Sequence, residues 1–291
     1  MLANKVNENF YPSIQRVVGR DSSFFQSVHF SLLFLNLSLL VVAAALSKFK
    51  FSYFDFRYNQ TVLLVVGFVI IIYLGVKKPE RSWYARRSLS ETIKTLSWRY
   101  SCMSTPFGEL ERVDDDLFLE RINESCVESD FVDGFRPSYV MSVTPTAEMI
   151  RVRKLSLDDR VNFYVTNRVQ GQLRWYSSRA KRNRFFHWFV FSILCACSAM
   201  AVVLSFVNEV QSVNDMPTDV LIALSSSLMA WMQSRKYVEL TAAYKLTAYE
   251  IESARSLVHS ISTPSEFNQF VDEMENLFSR EHTQWIAKRQ V

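Results

Sequence analysis

Glycine and proline are scarce in this chain, six and seven of 291 residues, and long stretches follow a helical period with no alternating pattern to compete, so the chain reads as all-helical. Cysteine is scarce as well. Cys102 and Cys126 stand alone, and Cys195 and Cys197 fall inside an apolar run; none has the spacing of a metal site, and their placement argues against disulfides. The four histidines, His29, His187, His259 and His282, lie on separate elements. There is no glycine-rich phosphate loop, no HExxH, no GxSxG and no paired-cysteine motif. The chain is therefore read as no enzyme, with no catalytic residue, no cofactor and no metal.

What the chain has in abundance is long apolar runs. Residues 27–46 carry no charge and are long enough to cross a hydrocarbon core of roughly 30 Å as a helix. Residues 61–76 return, 185–207 cross again, and 216–232 form a fourth, marginal run with a compact core at 220–232. That last run also fits a buried core helix or a re-entrant segment.

Charge orients these runs. Arg16 and Arg20 precede the first; Lys77, Lys78, Arg81, Arg86 and Arg87 follow the second; Arg179, Lys181, Arg182 and Arg184 precede the third; Arg235 and Lys236 follow the fourth. The connecting segments are poorer, 208–219 having no Lys or Arg at all. By the positive-inside rule both termini and the long middle are cytoplasmic. A cleaved signal peptide ending near Ala43, Ala44 and Ala45 is the rival reading, but its charged and apolar regions would be too long and its removal would leave an odd span count. Net charge is +4, and the basic residues cluster where anionic headgroups lie, which points to a lipid bilayer as partner and away from nucleic acid. The fold class expected is an all-α integral membrane protein, four transmembrane helices in two hairpins extended into a cytosolic helical bundle.

The polar segments carry helical stripes. Leu89, Ile93, Leu96 and Tyr100 recur at i+3 or i+4 within 80–103. A second helix opens at Ser156 with Asp158 and Asp159 in its first turn and runs through Val161, Tyr164, Val165, Arg168, Gln172 and Trp175 toward the third span; continuous to Val207, it would be on the order of 75 Å long. Residues 235–259 extend the fourth span. Thr263 and Glu266 then form a capping box with Pro264 at the first helical position, opening a helix with Phe267, Phe270, Val271, Met274, Leu277, Phe278 and Trp285 on one face. The tripeptide Ser-Thr-Pro recurs at 104–106 and 262–264, a spacing of 158 residues, after the same order of elements, which suggests duplication. The joint at 126–145, with Gly134, Pro137 and Pro145, is the least regular part. Boundaries follow: a cytosolic segment 1–26, a first two-span unit 27–130, a linker 131–155 and a second two-span unit 156–291.

The segment ERSWYARRSLSETIKTLSWRYSCMSTPF at 80–107 resembles the signature of SLATT domains, the SMODS- and SLOG-associating transmembrane effector modules. LDDRVNFYVTNRVQGQLRWYSSRAKRN at 157–183, with FVDEMENLFSREHTQW at 270–285, resembles a sister subtype. The positions carrying the likeness include Trp83, Arg87, Glu91, Lys94, Trp98, Arg99 and Tyr100 in the first half and Arg168, Gln172, Trp175 and Trp285 in the second. The resemblance implies two related units in tandem in a bacterial inner-membrane effector that permeabilises the membrane in nucleotide-signal-linked anti-phage defence. It also implies a partner, a nucleotide-second-messenger sensor or synthase, that carries the trigger.

The residues frame two functions. One is a homo-oligomeric pore, lined by His29 and Asn36, seven residues apart on one helical face, and by Ser225 and Ser226 in the short fourth run. Close helix packing accounts for the serines equally well. The apolar face with Phe270, Met274, Leu277 and Trp285 is expected to join the copies. The alternative is a membrane-tethered scaffold that recruits a signalling partner without conducting. Asp114, Asp115 and Asp116 are expected to cap a helix N-terminus rather than bind metal. Trp83, Tyr84, Trp98 and Tyr100 are read as an interfacial belt passing into a packing face, against a base-stacking platform beside Arg86, Arg87 and Arg99. Glu91 and Lys94, at i and i+3, form an ion pair.

Overall fold

The computed structural model describes residues 8–48, 57–108, 111–133, 143–211 and 216–287. Among them run ten α-helices and no strand: α1 (Ser13–Lys48), α2 (Arg57–Lys77), α3 (Pro79–Cys102), α4 (Glu111–Asp133), α5 (Ala147–Arg153), α6 (Leu157–Tyr164), α7 (Gln170–Gln211), α8 (Thr218–Arg235), α9 (Tyr237–Arg255) and α10 (Pro264–Ala287). A π-helical turn, Val165–Val169, joins α6 to α7, so the long helix expected from Ser156 is continuous apart from that one widened turn. Three stretches, within Ser13–Lys48, Gln60–Lys77 and Leu157–Val210, are long and apolar enough to cross a membrane. The fourth run is helical as α8 but is not among them.

The helix ends follow local chemistry. Ser156 accepts a hydrogen bond from the Asp159 amide at the start of α6, and Thr146 does the same for Met149 at α5. The capping box at α10 is made in both directions: the Glu266 amide donates to Thr263 Oγ1 at 3.3 Å, and the Thr263 amide donates to the Glu266 carboxylate at 2.9 Å. The amide and hydroxyl of Ser262 join on that carboxylate, and these contacts hold its pKa below the usual range.

Duplication is visible in the backbone. Lys78 and Lys236, 158 residues apart like the two Ser-Thr-Pro tripeptides, both adopt the left-handed conformation, with φ of 44° and 49°. Each is the one residue between an apolar helix and the polar helix after it, and each amide returns to a carbonyl four residues back, Leu74 or Met232, at 3.1 Å. This is a left-handed helix stop, made here by lysine at some steric cost rather than by glycine. It corrects the expectation that 235–259 simply prolongs the fourth span: the helix halts at Lys236, restarts as α9 and ends in a 3-10 turn, Ser256–Ser260.

Two other expectations change. Asp114, Asp115 and Asp116 do not cap α4, which begins at Glu111; they lie within it. The joint expected to be irregular from Cys126 is helical to Asp133, where α4 ends, and α5 lies inside the expected linker; Gly134 and Pro137 lie outside the described residues.

The chain divides into two compact units: residues 1–25, 80–179 and 243–291 (unit 1), and residues 26–79 and 180–242 (unit 2). Unit 1 has an aromatic core of Phe10, Trp98, Tyr100, Phe107, Phe118, Tyr164 and Phe267, each at most 1% exposed. Helix α3 is joined to α1 by Gln15 Nε2 donating to Ser90 Oγ at 3.1 Å and to α10 by Thr95 Oγ1 donating to the Glu275 carboxylate at 2.9 Å, and just past its end Ser104 Oγ donates to the Asp272 carboxylate at 2.7 Å. Unit 2 buries little, and mostly modest side chains: Asn36, Ala43, Ala180, Ser227, Ile70 and Val190, with Tyr237 the one large aromatic among the described residues. Its large side chains face outward, Phe34, Phe68, Phe185, Val202 and Phe206 each being more than 60% exposed.

Candidate functional site

The apolar stripe of α10 predicts a buried face, and one acidic residue stands on it. Glu275 lies four residues from Val271 and three from Phe278, and like them it is buried, at 0% exposure. Its partner comes from the π-turn. Arg168 Nε and Nη2 donate to the two carboxylate oxygens of Glu275 at 2.8 and 2.7 Å, a bidentate pair, with the guanidinium carbon 4.9 Å from the centre of the Phe278 ring. Tyr164 OH donates to the same carboxylate at 3.0 Å, and Thr95 Oγ1 from α3 at 2.9 Å. Burial alone would pull the Arg168 pKa down, but the Glu275 carboxylate overrides it and carries it upward. Burial, then the Glu275 charge, pushes the Tyr164 phenol well above its usual value.

A second buried pair closes the other end of α3. Arg153 of α5 pairs with Asp114 of α4, and Arg153 Nη1 donates to the Tyr100 carbonyl at 3.0 Å while Tyr100 OH donates to Asp115. The acidic run that reads as a cap is half of this pair.

Beside the Arg168 pair lies a cavity of about 230 Å³, wholly within unit 1, lined by Tyr11, by Arg87, Glu91 and Lys94 of α3, by Asn167 and Arg168 of the π-turn, and by Gly171, Gln172, Trp175 and Tyr176 of α7. Six residues singled out in the sequence, Arg87, Glu91, Lys94, Arg168, Gln172 and Trp175, thus converge on one place although they come from both halves of the chain. Lys94 Nζ pairs with Glu91 at 2.9 Å. Trp98 is buried behind the cavity among Phe10, Phe163 and Tyr164, and its indole donates to Tyr11 OH at 2.9 Å. Burial, opposed in part by the Arg168 charge, raises the Tyr11 phenol. Arg99 lies away from the cavity, its Nη2 donating to Asn276 at 2.8 Å. Trp83 stacks on Tyr84 with ring centres 4.3 Å apart. Trp98 and Tyr100, at 1% and 0% exposure, are core residues and not an open platform.

Burial, then the Glu275 charge, also pushes the buried Cys102 thiol well up.

The four pore candidates lie in unit 2. Asn36 is buried, its Oδ1 without a hydrogen-bond partner, where a Cβ on Gly67 of α2 would come within 3.0 Å of that oxygen. His29 is half-buried beside Phe30. Ser225 is half-buried, accepting from Ser198 Oγ at 3.4 Å, while Ser226 is exposed. Of the α10 face expected to join copies, Phe270 and Met274 are buried inside unit 1 and Leu277 is half-buried, and a charged residue on the stripe, Glu275, pairs with Arg168. Trp285 lies near the end of α10, where side chains are outside the described residues.

Helices that are long and apolar on the outside in one unit, and an aromatic core in the other, define an all-α protein with helices suited to crossing a membrane. Residues 12–161 match the family described as SMODS and SLOG-associating 2TM effector domain 3, and residues 164–285 match SMODS and SLOG-associating 2TM effector domain 1. The chain belongs to the SLATT family, as two of its domains in tandem. No curated protein and no solved structure matches it. The signals that sequence reasoning missed were Glu275 on an apolar stripe and Asp114 among three aspartates; for Tyr11, ahead of the first helix, the sequence holds no signal.

Proposed function

We propose that the chain is a membrane effector that assembles as a homo-oligomer in the bacterial inner membrane and conducts ions, depolarising the cell in nucleotide-signal-linked anti-phage defence. The observation that supports it most is the inverted surface of unit 2, large apolar side chains outside and Asn36, Ser198, Ser225 and Ser227 among its helices, together with membership of a family named for two-span effector domains. Helix α8, bounded by Asp219 and Arg235, serves as the fourth span, and the Lys and Arg flanks put both termini in the cytoplasm. Four spans are too few to hold a water path among their own side chains, Asn36 itself lying against Gly67, whereas several copies about an axis can hold one, and Ser226 is an exposed polar residue on α8 available to face it. The helices of unit 1 control opening, and the trigger comes from a partner, in keeping with the words "SMODS and SLOG-associating" in the family description.

Purified protein in liposomes loaded with potassium is expected to release it, and Ser226→Trp to slow that release while the protein still inserts. A bilayer that stays tight at high protein density, with and without candidate partners, refutes conduction and leaves the tethered scaffold.

A further inference from the structure

Gly171 stands inside the longest helix of the chain, α7, three residues after Arg168, at a position where glycine weakens a helix more than any residue except proline. Nothing in the protein requires it. A Cβ built there meets no atom within 4 Å, so an alanine would fit and would strengthen the helix. Gly171 also lines the 230 Å³ cavity of unit 1. The turn immediately before it is π-helical, the widened turn that recurs at functional sites, and it carries Asn167 and Arg168 into the same cavity wall.

The lining fixes the chemistry of an occupant. Arg87, Lys94 and Arg168 face a single lining carboxylate, Glu91, and Glu275 behind Arg168 still leaves cations in excess. The Lys94 ammonium has three donors, of which the Glu91 pair engages one. Asn167 and Gln172 add amides of both polarities. Trp175, set edge-on to Tyr176 and Tyr244 with ring centres 4.9 and 5.5 Å away, supplies a fixed aromatic wall, with Tyr11 also at the cavity. The volume falls below the roughly 300–1,000 Å³ of sites for drug-sized ligands, which suits one ring system with one charged group.

We infer that this cavity is a binding site for a small anion carrying a planar ring, its phosphate or carboxylate held by Arg87 and Lys94 and its ring set against Trp175. Such a ligand has two sources, a nucleoside monophosphate or an aromatic carboxylate. The inference does not depend on whether the spans conduct, because it is read out by binding alone.

Isothermal titration of the full chain in detergent micelles tests it, with adenosine and guanosine monophosphates and 4-hydroxybenzoate as probes, and adenosine and inorganic phosphate as half-ligands. At least one intact probe should bind more than tenfold more tightly than adenosine or phosphate. Arg87→Gln should weaken that binding by roughly tenfold, the loss of one charge-assisted contact. Gly171→Leu, which fills the cavity from a position with open space, should abolish it while circular dichroism shows helix content unchanged. The inference is overturned if every probe is silent at millimolar concentration, if a half-ligand binds as tightly as the intact probe, or if Gly171→Leu leaves binding intact. Specific binding by a monophosphate identifies the first source, and by the benzoate the second.

Discussion

Unit 1 and unit 2 are built from the same helices in part, α1, α7 and α9 contributing to both, yet they obey opposite rules. In unit 1 the aromatic core is inside, Trp98, Tyr100 and Tyr164 at 0–1% exposure, although Phe24 and Tyr249 stand outside, and buried charge includes the matched pairs Arg168 with Glu275 and Arg153 with Asp114, with Arg86 beside the half-exposed Asp21. In unit 2 most large side chains are outside, Phe68 at 63% and Val202 at 69%, while glycine, alanine, serine and asparagine stand inside with only a few larger residues, Ile70, Val190 and Tyr237. Water drives the first arrangement, since burying an aromatic ring gains free energy only against water. Among lipid tails that gain vanishes, and close approach of small residues holds helices together instead. Under the proposed topology, the difference reflects the solvent each unit meets.

The largest break in this comparison is expected at Glu275. Glu275→Ala leaves Arg168 buried with its charge uncompensated, at a cost of about 3–5 kcal/mol. Glu252→Ala removes the partner of Arg255 from an exposed pair of the same 2.7 Å length and should cost under ~1 kcal/mol. Thermal unfolding in detergent, followed by circular dichroism, ranks the two; equal losses would mean that the Arg168 pair is effectively solvated.

The next tests the outer surfaces. Val202 is 69% exposed on α7 and Val113 is 52% exposed on α4, so by exposure alone the two are alike. Val202→Arg should raise the insertion free energy of its helix by about 2.5–3.5 kcal/mol in a translocon insertion assay, the charge entering hydrocarbon. Val113→Arg should change folding stability by less than about 0.5 kcal/mol, the charge entering water. A neutral Val202→Arg would remove α7 from the bilayer.

The sequence discloses unit 2 more readily than unit 1. Hydropathy reads the composition of a single helix, and in lipid each helix satisfies its own backbone, so residues 27–46, 61–76 and 185–207 are legible one at a time. The capping box at Thr263 and the helix start at Ser156 are local for the same reason. Unit 1 depends on pairs distant in sequence: Arg168 and Glu275 are 107 residues apart, and Arg153 and Asp114 are 39 apart. Periodicity puts Arg168 on a stripe but cannot say which carboxylate meets it. The stop at Lys236 was hidden because lysine gives no helix-stop signal; only its counterpart at Lys78, 158 residues earlier, marks the position.

The smallest effect sharpens the comparison inside unit 2, where contact replaces hydrophobic burial. Gly67 lets α2 approach Asn36 so closely that a Cβ would come within 3.0 Å of the amide oxygen, nearer than carbon and oxygen normally sit. Gly67→Ala should therefore destabilise by about 1 kcal/mol, as overpacking does, even though alanine is the better helix former. Removing the oxygen removes the conflict. In an Asn36→Ala background the same Gly67→Ala change should become neutral or stabilising by up to about 0.5–1 kcal/mol, the ordinary advantage of alanine over glycine within a helix. The sign change across this double-mutant cycle isolates one contact between two spans, because sites that do not touch add within a few tenths of a kcal/mol. An equal effect of Gly67→Ala in both backgrounds would mean that α1 and α2 do not meet at this pair in the membrane, and the account of unit 2 as held by small residues would lose its clearest instance.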